Sequence, residues 1–446
     1  MKKLIEILET SNLFLTGGGG VGKSYATKEI IEHYRNFNKG VICLGSTGIS
    51  AVNIGGVTLH SFLCLGICKN FDELKEYDRS RTIKEKLKKL NEILRMTDLI
   101  IIDEISMISC DVFELVYYRL SSLNYNGRIM VVGDFYQLPP ITKKDNQNSN
   151  LFYKKYAFSS FAWDNFKFTN VEFKKSKRTK DLKFYYFLNK IRTQDINSSV
   201  YKYFSKFIKT KLMPDFEKTV LFGRNKEADD LNKTMLSKIN SKLEKYYGHY
   251  EFFDPEIEEN DHKISKWLSN LNVLNIFEFK IGAKVIFTIN KYKNANNLNS
   301  FFNGEQGEII DIEKENDEII YIKIKKLNED IIKVEPQAYD FGEFITHENE
   351  LKYKIIASFY QFPLRLAYGI TIHKSQSMSI ENLSCDLNNI FADGQLYVAL
   401  SRAIDPKKFE IIYNRKENFY SYLNKVIKAN QEVREFYNNQ TFIYLD

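Results

Sequence analysis

Leu13-Phe14-Leu15-Thr16-Gly17-Gly18-Gly19-Gly20-Val21-Gly22-Lys23-Ser24 decides the fold. Four apolar-rich residues read as a buried strand. Gly17 to Ser24 then fits GxxxxGK[ST], and the periodic run Ser24 to Tyr34 reads as a helix with Ile30, Ile31 and Tyr34 on one face. Strand, glycine loop and helix in this order form a phosphate cradle. Glycines let the backbone wrap an anion, and amide N–H groups and the helix N-terminus then face its charge. Gly17, Gly18, Gly19, Gly20, Val21, Gly22, Lys23 and Ser24 are therefore the expected nucleotide-binding set. Lys23 is expected to reach the β- and γ-phosphates, and the Ser24 hydroxyl to ligate Mg²⁺.

Outward from this loop, Val41 to Leu44, Leu99 to Asp103 and Ile129 to Gly133 read as further strands alternating with helical patterns. The fold class is α/β, with a parallel sheet covered on both faces. The second of these runs ends in Asp103-Glu104. A buried strand that delivers two carboxylates beside a phosphate loop supplies the second half of an NTPase site. Asp103 is expected to hold Mg²⁺, and Glu104 to polarise the attacking water.

Residues 66 to 91 break the rhythm as a Lys-rich helical excursion. A second α/β pattern starts near Phe173, with its clearest strands at Thr219 to Phe222 and Lys354 to Ser358. Between them lie short β-runs at Lys284 to Ile289, Gly307 to Ile312 and Ile319 to Ile324, with turn signals at Asn303-Gly304 and Asn316-Asp317. Residues 290 to 300 are Asn-rich and read as a loop, and the last 30 residues read as a helical tail.

The chain holds 64 Lys and Arg against 57 Asp and Glu, a net charge of +7 that suits a polyanion partner. Five scattered cysteines offer no zinc spacing and are expected to be reduced. No apolar run reaches membrane-spanning length. With the phosphate loop starting at Gly17, no room is expected for a leader peptide, and the expected location is the cytoplasm, at the nucleoid if the chain is bacterial.

At this point the sequence resembles the Pif-one and RecD-like helicases of superfamily one, from Leu13 to about Phe409. Gly45 to Ala51, continuing through Gly55-Gly56 to Thr58-Leu59-His60-Ser61-Phe62, is similar to the family's strand-contacting segment. Asp103 to Met107, Gly133 to Pro140, Thr371 to Gln376 and Gly394 to Arg402 are similar to its later motifs, in the family's order. The resemblance implies two stacked RecA-like cores with ATP and Mg²⁺ in the cleft. It implies a small helical wedge at 66–91 in the first core and an SH3-like β-barrel at 280–350 in the second. Residues 1–172 would form the first core, and 173–279 with 351–446 the second. Gln137 would sense the γ-phosphate, Arg402 would act as an arginine finger, and Arg178 would hold the fourth-motif position. Arg178 stands among Lys174, Lys175, Lys177 and Lys180, so a solvated basic run stays open as its alternative.

Thr47, His60, Ser61, Thr371, His373 and Lys374 are the expected single-strand contacts, since hydroxyls and Lys suit phosphate oxygens. Phe62 would stack on a base, with core packing as the alternative. Ser377 stands where the family usually has Gly. None of the residues ahead of Gly17 is the Gln that would read adenine, so weak base discrimination is expected. The implied activity is 5′ to 3′ DNA unwinding by a monomer, with work in repair, recombination and telomere maintenance. Expected partners are single-stranded DNA and duplex or fork DNA. RNA–DNA hybrids and folded G-rich strands stay open, as does an RNA helicase on the same cores. A non-translocating P-loop switch would not need the fifth and sixth motifs.

Overall fold

Two parallel sheets, each buried on both faces, organise the chain. The computed structural model describes residues 1–140, 154–211, 217–255, 262–271, 273–291, 300–348, 350–427 and 431–446. Most of the Asn-rich stretch, 292–299, lies outside the described residues. The first sheet has the order Phe442–Leu445, Phe168–Phe173, Asn12–Gly17, Arg128–Val132, Leu99–Asp103, Val41–Gly45, Val57–Thr58, all parallel. The second runs Gly369–Thr371, Thr219–Phe222, Leu383–Asp386, Phe409–Ile412, Ile208–Lys209, again all parallel. Runs such as Leu99 to Ile102 and Thr219 to Phe222 are fully buried because helices cover both faces. Leu13, Leu15, Ile30, Ile101 and Met130 fill one side of the first sheet, and Phe14, Ile100, Ile102, Val116 and Val131 the other.

Local chemistry sets the helices. Asn70 caps Phe71–Tyr77, and the Ser80 hydroxyl caps Arg81–Arg95 by accepting from the Ile83 amide. These two helices occupy the Lys-rich excursion, and Leu74, Leu90, Ile93 and Leu94 seat them on the first core. In the insert, Asn316 and Asp317 both adopt positive φ, as a two-residue hairpin turn requires. They join Gln306–Glu315 to Glu318–Lys326 in a five-stranded antiparallel sheet that also takes in Lys284–Phe287, Ile331–Val334 and Leu364–Leu366.

Two expectations are corrected. Lys354 to Ser358 does not join the second parallel sheet. It lies in Glu350–Gln361, which pairs antiparallel with Gln337–His347 and His249–Phe252. A buried apolar run reports burial, not the direction of its partner. The antiparallel elements therefore extend well beyond 280–350. The C-terminal segment is also not purely helical. After helices Phe419–Val426 and Gln431–Asn439, strand Phe442–Leu445 joins the edge of the first sheet beside Phe168–Phe173. The reason is aromatic burial. Phe436 packs on Phe14, Phe135, Phe158 and Trp163, and Tyr437 stacks on Tyr136 and Phe442.

The Tyr437 hydroxyl lies 2.7 Å from the Thr16 Oγ1 and accepts from the Phe135 amide at 3.3 Å. Thr16 is fully buried, immediately before the phosphate loop. Tyr437→Phe strands both partners, so it is expected to cost about 1–3 kcal/mol. Urea unfolding measures this; an unchanged midpoint would contradict the docking of the tail.

Candidate functional site

The loop Gly17 to Gly22 links strand Asn12–Gly17 to helix Lys23–Asn36. Gly22 caps the helix at φ +97°, and Gly20 sits at φ +78° with Arg178 packed against it. A Cβ on Gly20 would lie 2.4 Å from the Arg178 Cβ, so the glycine permits the close approach of the Arg178 segment. Lys23 Nζ donates to the Gly17 and Gly18 carbonyls at 2.6 and 3.1 Å. Burial lowers the pKa of this ammonium, and Asp134 works the other way. Such a desolvated cation at the mouth of a helix N-terminus is built to receive an anion.

Asp103 and Glu104 leave the strand Leu99–Asp103 on the same wall. Burial raises the pKa of both carboxyls. Glu104 pushes Asp103 further up, while Lys23 and Arg402 pull Glu104 down. Glu104 adopts φ 53°, ψ 48°, a left-handed conformation that is uncommon for a non-glycine residue. The Ser24 hydroxyl and the Asp103 carboxylate line one cavity and provide hard oxygen donors. Mg²⁺ sites in nucleotide-binding proteins use one or two protein oxygens plus phosphates and water rather than a full protein cage, and these two oxygens fit such a site.

Gln137 is nearly buried. Its Nε2 donates to Asp134 at 3.5 Å, and Asp134 is itself clamped by Arg192 through both oxygens. Arg192 also pairs with Glu172 at 3.0 Å and lies over the rings of Tyr136 and Tyr437. A buried ion network thus locks helix Leu182–Arg192 to the end of strand Arg128–Val132 directly behind the cavity.

The opposite wall carries two arginines. Arg178 donates to the Ser379 hydroxyl and the Ser401 carbonyl, both at 2.7 Å. Arg402 donates to the Val398 carbonyl at 2.9 Å, the Ser401 hydroxyl at 2.9 Å and the Ser375 carbonyl at 3.4 Å. Burial lowers both guanidinium pKa values, and neither has an acid within ion-pair distance among the described residues. A guanidinium keeps its proton, so the wall presents standing positive charge to the glycine loop. The cavity brings together Gly19, Gly20, Val21, Gly22, Lys23, Ser24, Asp103, Glu104, Gln137, Arg178 and Arg402.

The predicted strand contacts lie elsewhere, at the carboxyl ends of parallel strands in both sheets. Thr47 and Ser50 bond reciprocally at the start of helix Gly48–Asn53. His60 and Ser61 are exposed on Leu59–Phe62. Phe62 is half-buried and meets Phe344 of the antiparallel hairpin edge-on at 5.8 Å, which is the packing alternative. Thr371 ends its strand and accepts from the Lys374 amide at 3.4 Å. His373 stacks on exposed Phe391, and burial lowers the pKa of both His373 and Lys374.

A model of the PIF1-like helicase family matches residues 3–202. An ATP-dependent DNA helicase Pif1 of Campylobacter jejuni is 43% identical over 448 residues, spanning 100% of this chain and 98% of the relative. The chain belongs to the PIF1-like helicases. Its fold is similar to that of Bacteroides sp Pif1 in complex with ADP-AlF4, with TM-score 0.80, 25% identity and coverage of 98% of this chain and 95% of that one. Bacteroides Pif1 bound to ssDNA gives TM-score 0.62 at 26% identity over the same shares.

Two residues of this PIF1-like helicase's cleft escape a sequence reading. The Tyr397 hydroxyl accepts from the Gly19 amide at 2.7 Å, bridging the cores. It lies inside the segment Gly394 to Arg402, and its signal is an aromatic five residues ahead of Arg402. Arg192 carries no motif signal, because its acid partners Asp134 and Glu172 come from two different strands.

Proposed function

We propose that this PIF1-like helicase hydrolyses ATP with Mg²⁺ to translocate 5′ to 3′ along single-stranded DNA and unwind duplex or fork DNA, acting as a monomer. The observation that carries the reading is the two-sided cavity wall, with the glycine loop, Asp103, Glu104 and Gln137 on one side and Arg178 and Arg402 on the other. A nucleotide bound there touches both cores, so its hydrolysis changes the force between them. Lys23 and the loop amides hold the β- and γ-phosphates. Ser24 and Asp103 would hold Mg²⁺, which would neutralise phosphate charge. Glu104 takes the proton of the attacking water, and Gln137 senses the γ-phosphate. Arg402, with Arg178, stabilises charge on the transferring phosphoryl group as its bond to ADP breaks.

Thr47, His60 and Ser61 on the first core and Thr371, His373 and Lys374 on the second grip the DNA backbone. Alternate grip by the two sets moves the strand as the cleft opens and closes. Single-stranded DNA is expected to stimulate hydrolysis, and EDTA to abolish it. DNA affinity is expected to fall with salt, with a log–log slope near −0.7 for each phosphate contacted. A flat salt response in a fluorescence-anisotropy titration would contradict these phosphate contacts.

A further inference from the structure

Ser377 follows His373-Lys374-Ser375-Gln376, where the family usually has Gly, and its side chain has a definite target. The Ser377 Oγ donates to Oε1 of Glu104 at 3.4 Å. The bond crosses the cleft from the second core to the first, and both residues line the nucleotide cavity. Among the described residues no other hydrogen bond to the Glu104 carboxylate is found. Ser377 holds φ +63°, so a side chain is kept where glycine would sit without strain. A side chain at positive φ whose hydroxyl meets the proposed catalytic carboxylate points to a role for that hydroxyl.

The loop ties this contact to the strand-binding side. Thr371 accepts from the amides of Ser375 and, through its hydroxyl, Lys374. The Ser375 carbonyl accepts from the Met378 amide, and Ser379 receives Arg178. Nine residues thus run from the proposed DNA contacts Thr371, His373 and Lys374 to Glu104's donor and Arg178's acceptor.

We propose that Ser377 is a positioning residue for hydrolysis: its hydroxyl fixes the Glu104 carboxylate across the cleft, so the base is oriented by the loop that meets DNA. The inference rests on the assignment of Glu104 as the base. With one oxygen held by Ser377, the other is left to face the water. The contact acts on the orientation of the base, so it is expected to govern turnover and to leave nucleotide affinity near wild type.

The test is steady-state ATPase of the full chain on saturating single-stranded DNA. It compares wild type, Ser377→Ala, Ser377→Gly and Glu104→Gln, with binding of a fluorescent ATP analogue and unfolding midpoints measured alongside. Ser377→Gly suits the left-handed backbone and protects the fold, while Ser377→Ala keeps the side-chain strain without the hydroxyl. Both Ser377 variants are expected to lose about tenfold in kcat, with KM for ATP and analogue affinity within about twofold of wild type. Wild-type or raised kcat in both would overturn the proposal. So would loss in the Ala variant alone, which would assign the effect to backbone conformation, or a raised KM at intact kcat, which would make Ser377 a ground-state contact. If wild type itself shows no DNA-stimulated hydrolysis, the proposed function fails. If wild type is active, Glu104→Gln is inactive and the Ser377 variants are normal, the role of Ser377 alone fails.

Discussion

Glu104→Gln is expected to keep ATP binding near wild type and to lose about 10²–10⁴ in turnover. Glutamine matches the shape of Glu104, but its amide cannot take a proton from water. The phosphate grip does not depend on this residue: Lys23, the amides from Gly18 to Ser24 and the helix N-terminus are untouched. Lys23→Ala is the contrasting case. The Lys23 ammonium is already desolvated and turned onto the carbonyls of Gly17 and Gly18, so its removal takes binding and turnover together. Steady-state kinetics and an equilibrium binding curve separate the two outcomes. Wild-type-like turnover in Glu104→Gln would remove Glu104 from the chemistry.

Arg402→Ala is expected to lower kcat by about 10³–10⁵ and to change nucleotide affinity little. The guanidinium is 2% exposed and held by Val398, Ser401 and Ser375. No acid lies within ion-pair distance among the described residues. A buried cation without an anionic partner is costly, and charge building on a γ-phosphoryl group relieves that cost most in the transition state. Differential stabilisation of this kind appears in kcat. Loss of ATP affinity at unchanged kcat would make Arg402 a ground-state contact.

The parts of this site legible in the sequence are those where local backbone chemistry dictates structure. Gly17 to Ser24 can adopt few other arrangements between a buried strand and a helix, and Asp103-Glu104 follows from a strand that must end at the cleft. Asn316-Asp317 likewise announces its hairpin through residues that tolerate positive φ. What stayed hidden is partner choice over long separations. Glu350–Gln361 has the apolar run of a parallel strand, yet its neighbours are antiparallel. Phe442–Leu445 crosses the length of the chain to the first sheet's edge, drawn by aromatic packing around Phe436 and Tyr437 that no short window contains. Arg192 is invisible for the same reason. Ser377, by contrast, was visible as a departure from pattern, while its target, Glu104, required the folded chain.

Strand displacement on duplexes carrying a single-stranded tail at one end tests the central claim most directly. With ATP and Mg²⁺, a 5′-tailed DNA duplex is predicted to be unwound and a 3′-tailed one left intact, with Glu104→Gln inactive on both. Efficient unwinding of the 3′-tailed duplex with none from the 5′ tail, or rapid ATP hydrolysis without displacement of either, would contradict the account.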